Sequence, residues 1–505
     1  MRKINKNILR GALVASYLLV LVLIILGIGA IYSYLNTGAD RSTMLHTEVY
    51  KSQSYFPEIT WDTTSYKGRK MDLQNLQNIE KDYLNAWYIK NITFKSNTKT
   101  GIDDYYTESA RENLYNIIDI NNTNNINFSS TTLSHKPKLE FFSEDGQLVA
   151  FTDFDVVEYQ RPFSNGKELQ DFKTINTYKI IMLLEDGFWR IRHQVRIESK
   201  DVLETQKTID SLKLNIKGIN YYPKDSPWEM FGETFSTDTI DKDFKIIKDA
   251  GLNSVRLFVQ YEDFGKAEVK KDKLDKLVKT LDVAQKNNLK VVLTLFDFYG
   301  NYDVLDWTLN QRHIKEIASK VKEHTALLAW DIKNEPDLDF DSRGKSKVTA
   351  WLKEMVYYLR AQDSVHPITI GWSNSEVAHE IQEDLDFICF HYYKDLDNLS
   401  SSFTSLKSKV NGKPIVLGEF GVSSYSGFWK PFGASEGGQA DYHKKAQNIL
   451  TKESIPFISW TLYDFNKIPK EVVGRLPWRK NPQKHFGFIN SEGEKKLSFK
   501  FISGE

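Results

Sequence analysis

The chain has 505 residues, room for two or three domains, and its 67 Lys and Arg balance 67 Asp and Glu, so no global field draws nucleic acid. Apolar residues at 41% suffice for large cores, and a single cysteine, Cys389, placed in an apolar run, excludes an internal disulfide. Zinc-type Cys/His spacing and Gly-rich phosphate loops are both missing from the sequence, which removes the common structural-zinc and nucleotide classes.

Arg2, Lys3, Lys6 and Arg10 precede an uncharged stretch, 11–39, dominated by Leu, Val and Ile. About 20 apolar residues cross a hydrocarbon core, so residues 1–40 predict one N-terminal transmembrane helix with a cytoplasmic basic flank. The expected location is a single-pass membrane protein whose C-terminal domains are periplasmic or extracellular. A cleaved signal peptide is the competing reading, but its apolar region is normally ~7–15 residues. Residues 41–66 are polar without a clear period and read as a linker.

Residues 67–205 predict an α+β domain. Over 71–92, Leu73, Leu76, Ile79, Tyr83, Leu84 and Trp87 share one helical stripe, and a shorter helix is expected over 104–118. An Asn-rich loop, 121–127, follows, and then the period changes to two. Apolar alternation over 130–142 and 147–159 is joined by Asp145-Gly146, and over 172–184 and 188–198 by Asp186-Gly187. Asp-Gly between alternating runs is a hairpin signal. Helices followed by long antiparallel strands resemble the NTF2-like, cone-shaped α+β superfamily, on pattern alone. Such a module implies a spacer, a protein partner or self-association. His193 is its one candidate catalytic residue, and a lone strand histidine is more often structural.

Residues 206–505 alternate short apolar runs with amphipathic stretches, the pattern of βα units around a parallel sheet. Eight runs are expected as strands: 217–222, 254–260, 290–296, 327–333, 367–372, 386–391, 414–420 and 456–463. Helices are expected over 241–250, 273–287, 314–324 and 347–362. Eight strands in about 290 residues predict a (β/α)₈ TIM barrel, whose chemistry sits at the C-terminal strand ends. Two runs carry a glutamate there. WDIKNEPD, residues 330–337, delivers Asn334 and Glu335, and PIVLGEFG, residues 414–421, delivers Glu419.

These strand-end motifs resemble clan A glycoside hydrolases, most like glycoside hydrolase family 5, the cellulase and mannanase group. The likeness covers roughly residues 214–501. It matches Asn334-Glu335 on strand four, Glu419 on strand seven, Arg256 in SVRLF on strand two, His391 and Tyr393 in HYY on strand six, and Trp460 on strand eight. Where many relatives carry a histidine at the end of strand three, Asp297 stands here. The resemblance implies Glu335 as acid/base and Glu419 as nucleophile in retaining cleavage of a β-linked polysaccharide or oligosaccharide. Arg256 would keep Glu419 charged, since a nearby guanidinium lowers a carboxyl pKa. Tyr393 would donate to Glu419, Asn334 would bind the sugar 2-OH, His391 would orient Glu335, and Trp460 would offer a ring face to the sugar. No metal or other cofactor is expected.

Trp228, Trp307, Phe428 and Trp429, with Asp297, Asn301 and Asp303, fall in loops that either line further sugar subsites or pack ordinarily. Two other functions remain open in the same fold. One is transglycosylation, and the other is non-catalytic polysaccharide binding or assembly.

Overall fold

The computed structural model describes residues 6–35, 55–202, 209, 212, 214–427, 432–473 and 476–504. The expected linker therefore lies outside the described residues up to position 54, as do Phe428 and Trp429.

The single-pass membrane location expected from residues 1–40 is overturned: among the described residues no helix is long and apolar enough to cross a membrane. The segment does form a helix, Lys6–Leu35.

The middle region is an α+β unit. Short pieces β1 (Glu58–Ile59) and β2 (Lys67–Gly68) flank β3 (Ile126–Phe142), which pairs in turn with β4 (Leu148–Ser164), β6 (Phe172–Glu185) and β7 (Phe188–Asp201); β5 (Lys167–Glu168) hooks back on β4. The four long strands are antiparallel, and both expected Asp-Gly turns carry positive φ at Asp186, Gly146 and Gly187. Helix Leu73–Ser96 is capped by Asp72, whose side chain accepts from Asn75 N–H. It buries Ile79, Tyr83, Ala86 and Trp87, one stripe at helical spacing, against the sheet. The loop expected at 121–127 is instead the end of helix Glu108–Asn124, and only Asn125 leaves it, at φ 50°. Asparagine tolerates that left-handed cap, so an Asn-rich string marks a helix end as readily as a loop. His193 lies exposed on β7.

All eight expected barrel strands form. They are β8 (Lys217–Asn220), β9 (Ser254–Gln260), β10 (Lys290–Asp297), β11 (Leu327–Asn334), β12 (Ile368–Trp372), β13 (Ile388–Tyr392), β14 (Ile415–Phe420) and β15 (Phe457–Ser459), parallel and closed in a ring. Strands buried on both faces read as continuous apolar runs, which is why their positions were legible. Helices Thr237–Asp249, Lys271–Lys286, Trp307–Val321 and Lys345–Gln362 fall at the expected places.

The sheet unit packs on the barrel. Leu133 and Tyr159 join the barrel's hydrophobic cluster, and the Tyr159 ring lies 4.3 Å from that of Trp307. Lys173 and Glu354, both nearly buried, pair at 2.6 Å across the seam, and Tyr358 donates to Glu58 at 2.7 Å.

Candidate active site

The strand tips build one polar network around Arg256. This side chain is fully buried inside the barrel on β9. Its Nη2 donates to Asp331 Oδ2 at 2.5 Å and to Asn334 Oδ1 at 2.9 Å, its Nη1 to Asn220 Oδ1 at 3.2 Å and to Glu419 Oε2 at 3.5 Å. Space for it comes from a missing side chain: a Cβ on Gly371 would stand 2.6 Å from Arg256 Nη2. On β14, a Cβ on Gly418 would stand 2.1 Å from Cys389 Sγ, so the lone cysteine is a small residue filling the floor below the site.

Glu335 leaves β11 in a left-handed conformation, φ 47° and ψ 53°, with its N–H donating to Gly371 O at 2.7 Å. Such backbone costs a non-glycine residue on the order of 1 kcal/mol and persists where surrounding structure imposes it. Pro336 follows and starts a short 3-10 turn. His391, fully buried on β13, has Nδ1 2.9 Å from Glu335 Oε1 and 3.8 Å from Glu419 Oε2. One donor atom from each of Glu335, His391 and Glu419 lies within 4.8 Å of the others. By distance this trio is the one grouping among the described residues able to share a cation. Arg256 already stands beside one of its carboxylates.

Glu419 receives the Tyr393 hydroxyl at 2.5 Å. Burial pushes its carboxyl above the ordinary glutamate value; His391 opposes that, Glu335 adds to it, and Arg256 and Tyr393 pull back. Arg256 thus acts in the expected direction on Glu419, but burial outweighs it. The guanidinium makes its closest contact with Asp331, so much of its charge is offset there. Loss of water around the hydroxyl and the charge of Glu419 raise the Tyr393 phenol, although the residue as a whole is exposed, and it stays protonated as a donor.

Trp460 follows β15 directly and is only 6% exposed, wedged 6.0 Å from the Trp228 ring and 6.4 Å from that of Tyr222. Its Nε1 has no hydrogen-bond partner among the described residues. Asp297 is buried at the end of β10, with Tyr222 OH 3.4 Å away. The structure thus gathers Arg256, Asn334, Glu335, His391, Tyr393, Glu419 and Trp460 at one end of the barrel. It does not bring Trp307 or Asp303 into that network. Trp307 is buried at the seam, and Asp303 pairs with Lys95 of the sheet unit. Asn301 bonds Asp306 within its own loop.

The residues missed are Asp331 and Asn220, which hold Arg256, and Asp337, which accepts from Ser373 N–H at 2.9 Å. Asp331 carried a signal. A charged residue inside an apolar strand run is rarely buried without a partner.

The family model Cellulase (glycosyl hydrolase family 5) matches residues 207–466, just over half of the chain. Beta-glucuronidase of Chlorocebus aethiops is 24% identical over 305 residues, covering 55% of this chain and 43% of that protein. Mannan endo-1,4-beta-mannosidase 3 of Arabidopsis thaliana is 27% identical over 225 residues, covering 34% of this chain and 50% of that protein. The chain thus spans half or less of the length of these curated relatives. Exo-beta-1,4-mannosidase Op5Man5 from Opitutaceae bacterium strain TAV5 superposes with a TM-score of 0.47 at 19% identity, covering 57% of this chain and 58% of that one. With the family model spanning all eight barrel strands from β8 to β15, the chain belongs to glycosyl hydrolase family 5.

Proposed function

We propose that the chain is a retaining glycoside hydrolase that cleaves a β-linked polysaccharide of mannan or glucan type by double displacement. The observation that supports this most is the approach of Glu335 and Glu419 to within 4.8 Å. Retaining enzymes hold their carboxyls about 5 Å apart, whereas inverting ones leave room for a water between them.

In this reading a Glu419 oxygen attacks the anomeric carbon as the bond to the leaving oxygen breaks, and that oxygen takes the Glu335 proton. Water then gives a proton to Glu335 while its oxygen displaces Glu419, restoring both groups. The His391 contact steadies Glu335, the Tyr393 hydroxyl holds the attacking carboxylate, and Asn334, its amide oxygen fixed by Arg256, turns its NH₂ toward the sugar 2-OH. Trp460 is a wall of the cleft more than an open platform, given its small exposed area. We read residues 67–205 as an NTF2-like domain that braces the barrel, and residues 206–505 as the catalytic domain. The mannan and glucan assignment rests on the names of relatives.

The test is product analysis on a panel of β-mannans and β-glucans with wild type, Glu335→Gln and Glu419→Gln. Release of oligosaccharides by wild type and its loss in Glu419→Gln are expected. Equal turnover by Glu419→Gln would contradict the nucleophile, and no turnover by any protein would favour a binding role.

A further inference from the structure

A cavity of 340 Å³ lies on the seam between the sheet unit and the barrel. Lys95 and Arg161 reach it from the sheet unit, and Arg343 and Lys347 from the segment after β11. Glu168 and Asp303 are the carboxylates on its wall, so four cations meet two anions. Lys95 pairs with Asp303. Arg161, 2% exposed, lies 3.3 Å from Glu168 and 3.3 Å from Asp171, and donates to Ser346 O of the barrel at 3.3 Å. The Glu168 contact is made by its Nε, an ion pair without hydrogen-bond geometry. Arg343 and Lys347 make neither an ion pair nor a side-chain hydrogen bond among the described residues.

Burial pushes the Lys347 ammonium below the ordinary lysine value; Asp303 opposes this, and Lys95, Arg343 and Arg161 add to it. A half-buried cation among like charges is costly until an anion joins it. Helix Lys345–Gln362 begins at the same wall behind Gly344, without a side-chain cap, and its positive end adds to the field.

The cavity is tied to the strand that carries Glu335. The turn Pro336–Asp339 leads straight into Phe340–Gly344, which supplies Arg343. Asp339 accepts from Tyr302 and lies 3.7 Å from Lys333 Nζ on β11, while Asp303, next to Tyr302, is on the cavity wall.

We propose that the seam cavity is an anion subsite that takes an oxyanion, a carboxylate or sulfate, carried as an acidic substituent on the mannan- or glucan-type glycan proposed for the barrel. The sheet unit then supplies part of the substrate site through Lys95 and Arg161. The inference rests on the glycosidase reading for the identity of the ligand, not for the existence of the site.

The test uses binding without turnover on the full chain, with wild type and an Arg343→Gln/Lys347→Gln double variant. Thermal melting is followed in sodium sulfate against sodium chloride at equal ionic strength. Calorimetry compares a β-linked oligosaccharide bearing a glucuronate residue with its neutral counterpart. Sulfate stabilises folded proteins in general, so it should raise the wild-type melting temperature over the chloride control by clearly more than it raises that of the double variant. The acidic oligosaccharide should bind wild type about 10-fold more tightly than the neutral one, the size of one charge-assisted contact, with the preference lost in the variant. The variant should fold at least as stably, because like charges are removed. An equal sulfate response in both proteins overturns the proposal. Sulfate protection without any preference for the acidic oligosaccharide also overturns it, in favour of a free inorganic anion. Failure of hydrolysis on neutral and acid-substituted β-glycans alike would instead strike the glycosidase reading and leave these binding results standing.

Discussion

Two buried histidine–carboxylate networks occupy the two halves of the molecule. In the sheet unit, His135 Nδ1 lies 2.6 Å from Asp153 Oδ2, Tyr83 donates to the same oxygen at 2.6 Å, and Lys136 N–H donates to Oδ1 at 2.8 Å. His135 Nε2 meets Thr132 Oγ1 at 2.9 Å, and Tyr55 completes the set. Histidine and aspartate side chains are both wholly hidden there. In the barrel, His391 is equally hidden, but its carboxylate neighbours are not: Glu335 keeps 18% of its side chain open and Glu419 keeps 11%. His391 Nε2 also has no partner among the described residues. A network closed on itself stiffens a fold; one left open at its carboxylates has acceptors to offer a substrate. The same residue types therefore close on themselves in one place and, in the function proposed here, carry chemistry in the other, and access to the carboxylates separates them.

The largest effect that would test this contrast is in the barrel. Glu419→Gln should lower kcat by at least about 10⁴-fold, as loss of a nucleophile does, with the fold intact by circular dichroism. Next comes Asp331→Asn, which leaves Arg256 buried without its closest anion. It should cost about 3 kcal/mol of stability in urea unfolding and lower activity as well. Asp153→Asn disturbs the closed network and should cost about 1–3 kcal/mol while leaving kcat of the folded protein unchanged. A large fall in kcat for that variant would break the comparison. The smallest effect is Tyr393→Phe, which removes one hydrogen bond to a charged acceptor and should lower kcat about 10-fold.

The pH profile sharpens the same contrast. The proposed displacement needs Glu419 ionised, and its carboxyl lies above the ordinary 4.5. Activity should therefore be present on the alkaline side of that raised value and be lost as pH falls through it. Because the Tyr393 hydroxyl lowers the Glu419 value, Tyr393→Phe should move the acid limb of kcat to still higher pH. A limb that stays in place would deny Tyr393 a part in charging Glu419.

The barrel was legible because parallel strands hidden on both faces leave apolar runs, and because function gathers at their C-terminal ends. Glu335 and Glu419 could be placed on that logic. What holds Arg256 could not be read, since its pairing with Asp331 depends on strand register between residues far apart in the chain. The sequence leaves Trp307 and Asp303 open between a sugar subsite and ordinary packing; they lie at the seam, because loop composition does not record that a second unit docks there. The apolar N-terminal stretch showed the opposite failure. Its composition suggested a membrane span, yet no described helix is long and apolar enough to make one.

The most direct test of the account is the anomeric configuration of the first product, read by proton NMR in the opening minutes of hydrolysis. Two carboxyls this close predict that the β configuration is kept, through a sugar ester on Glu419. An inverted first product would contradict the double displacement and the role given to Glu419.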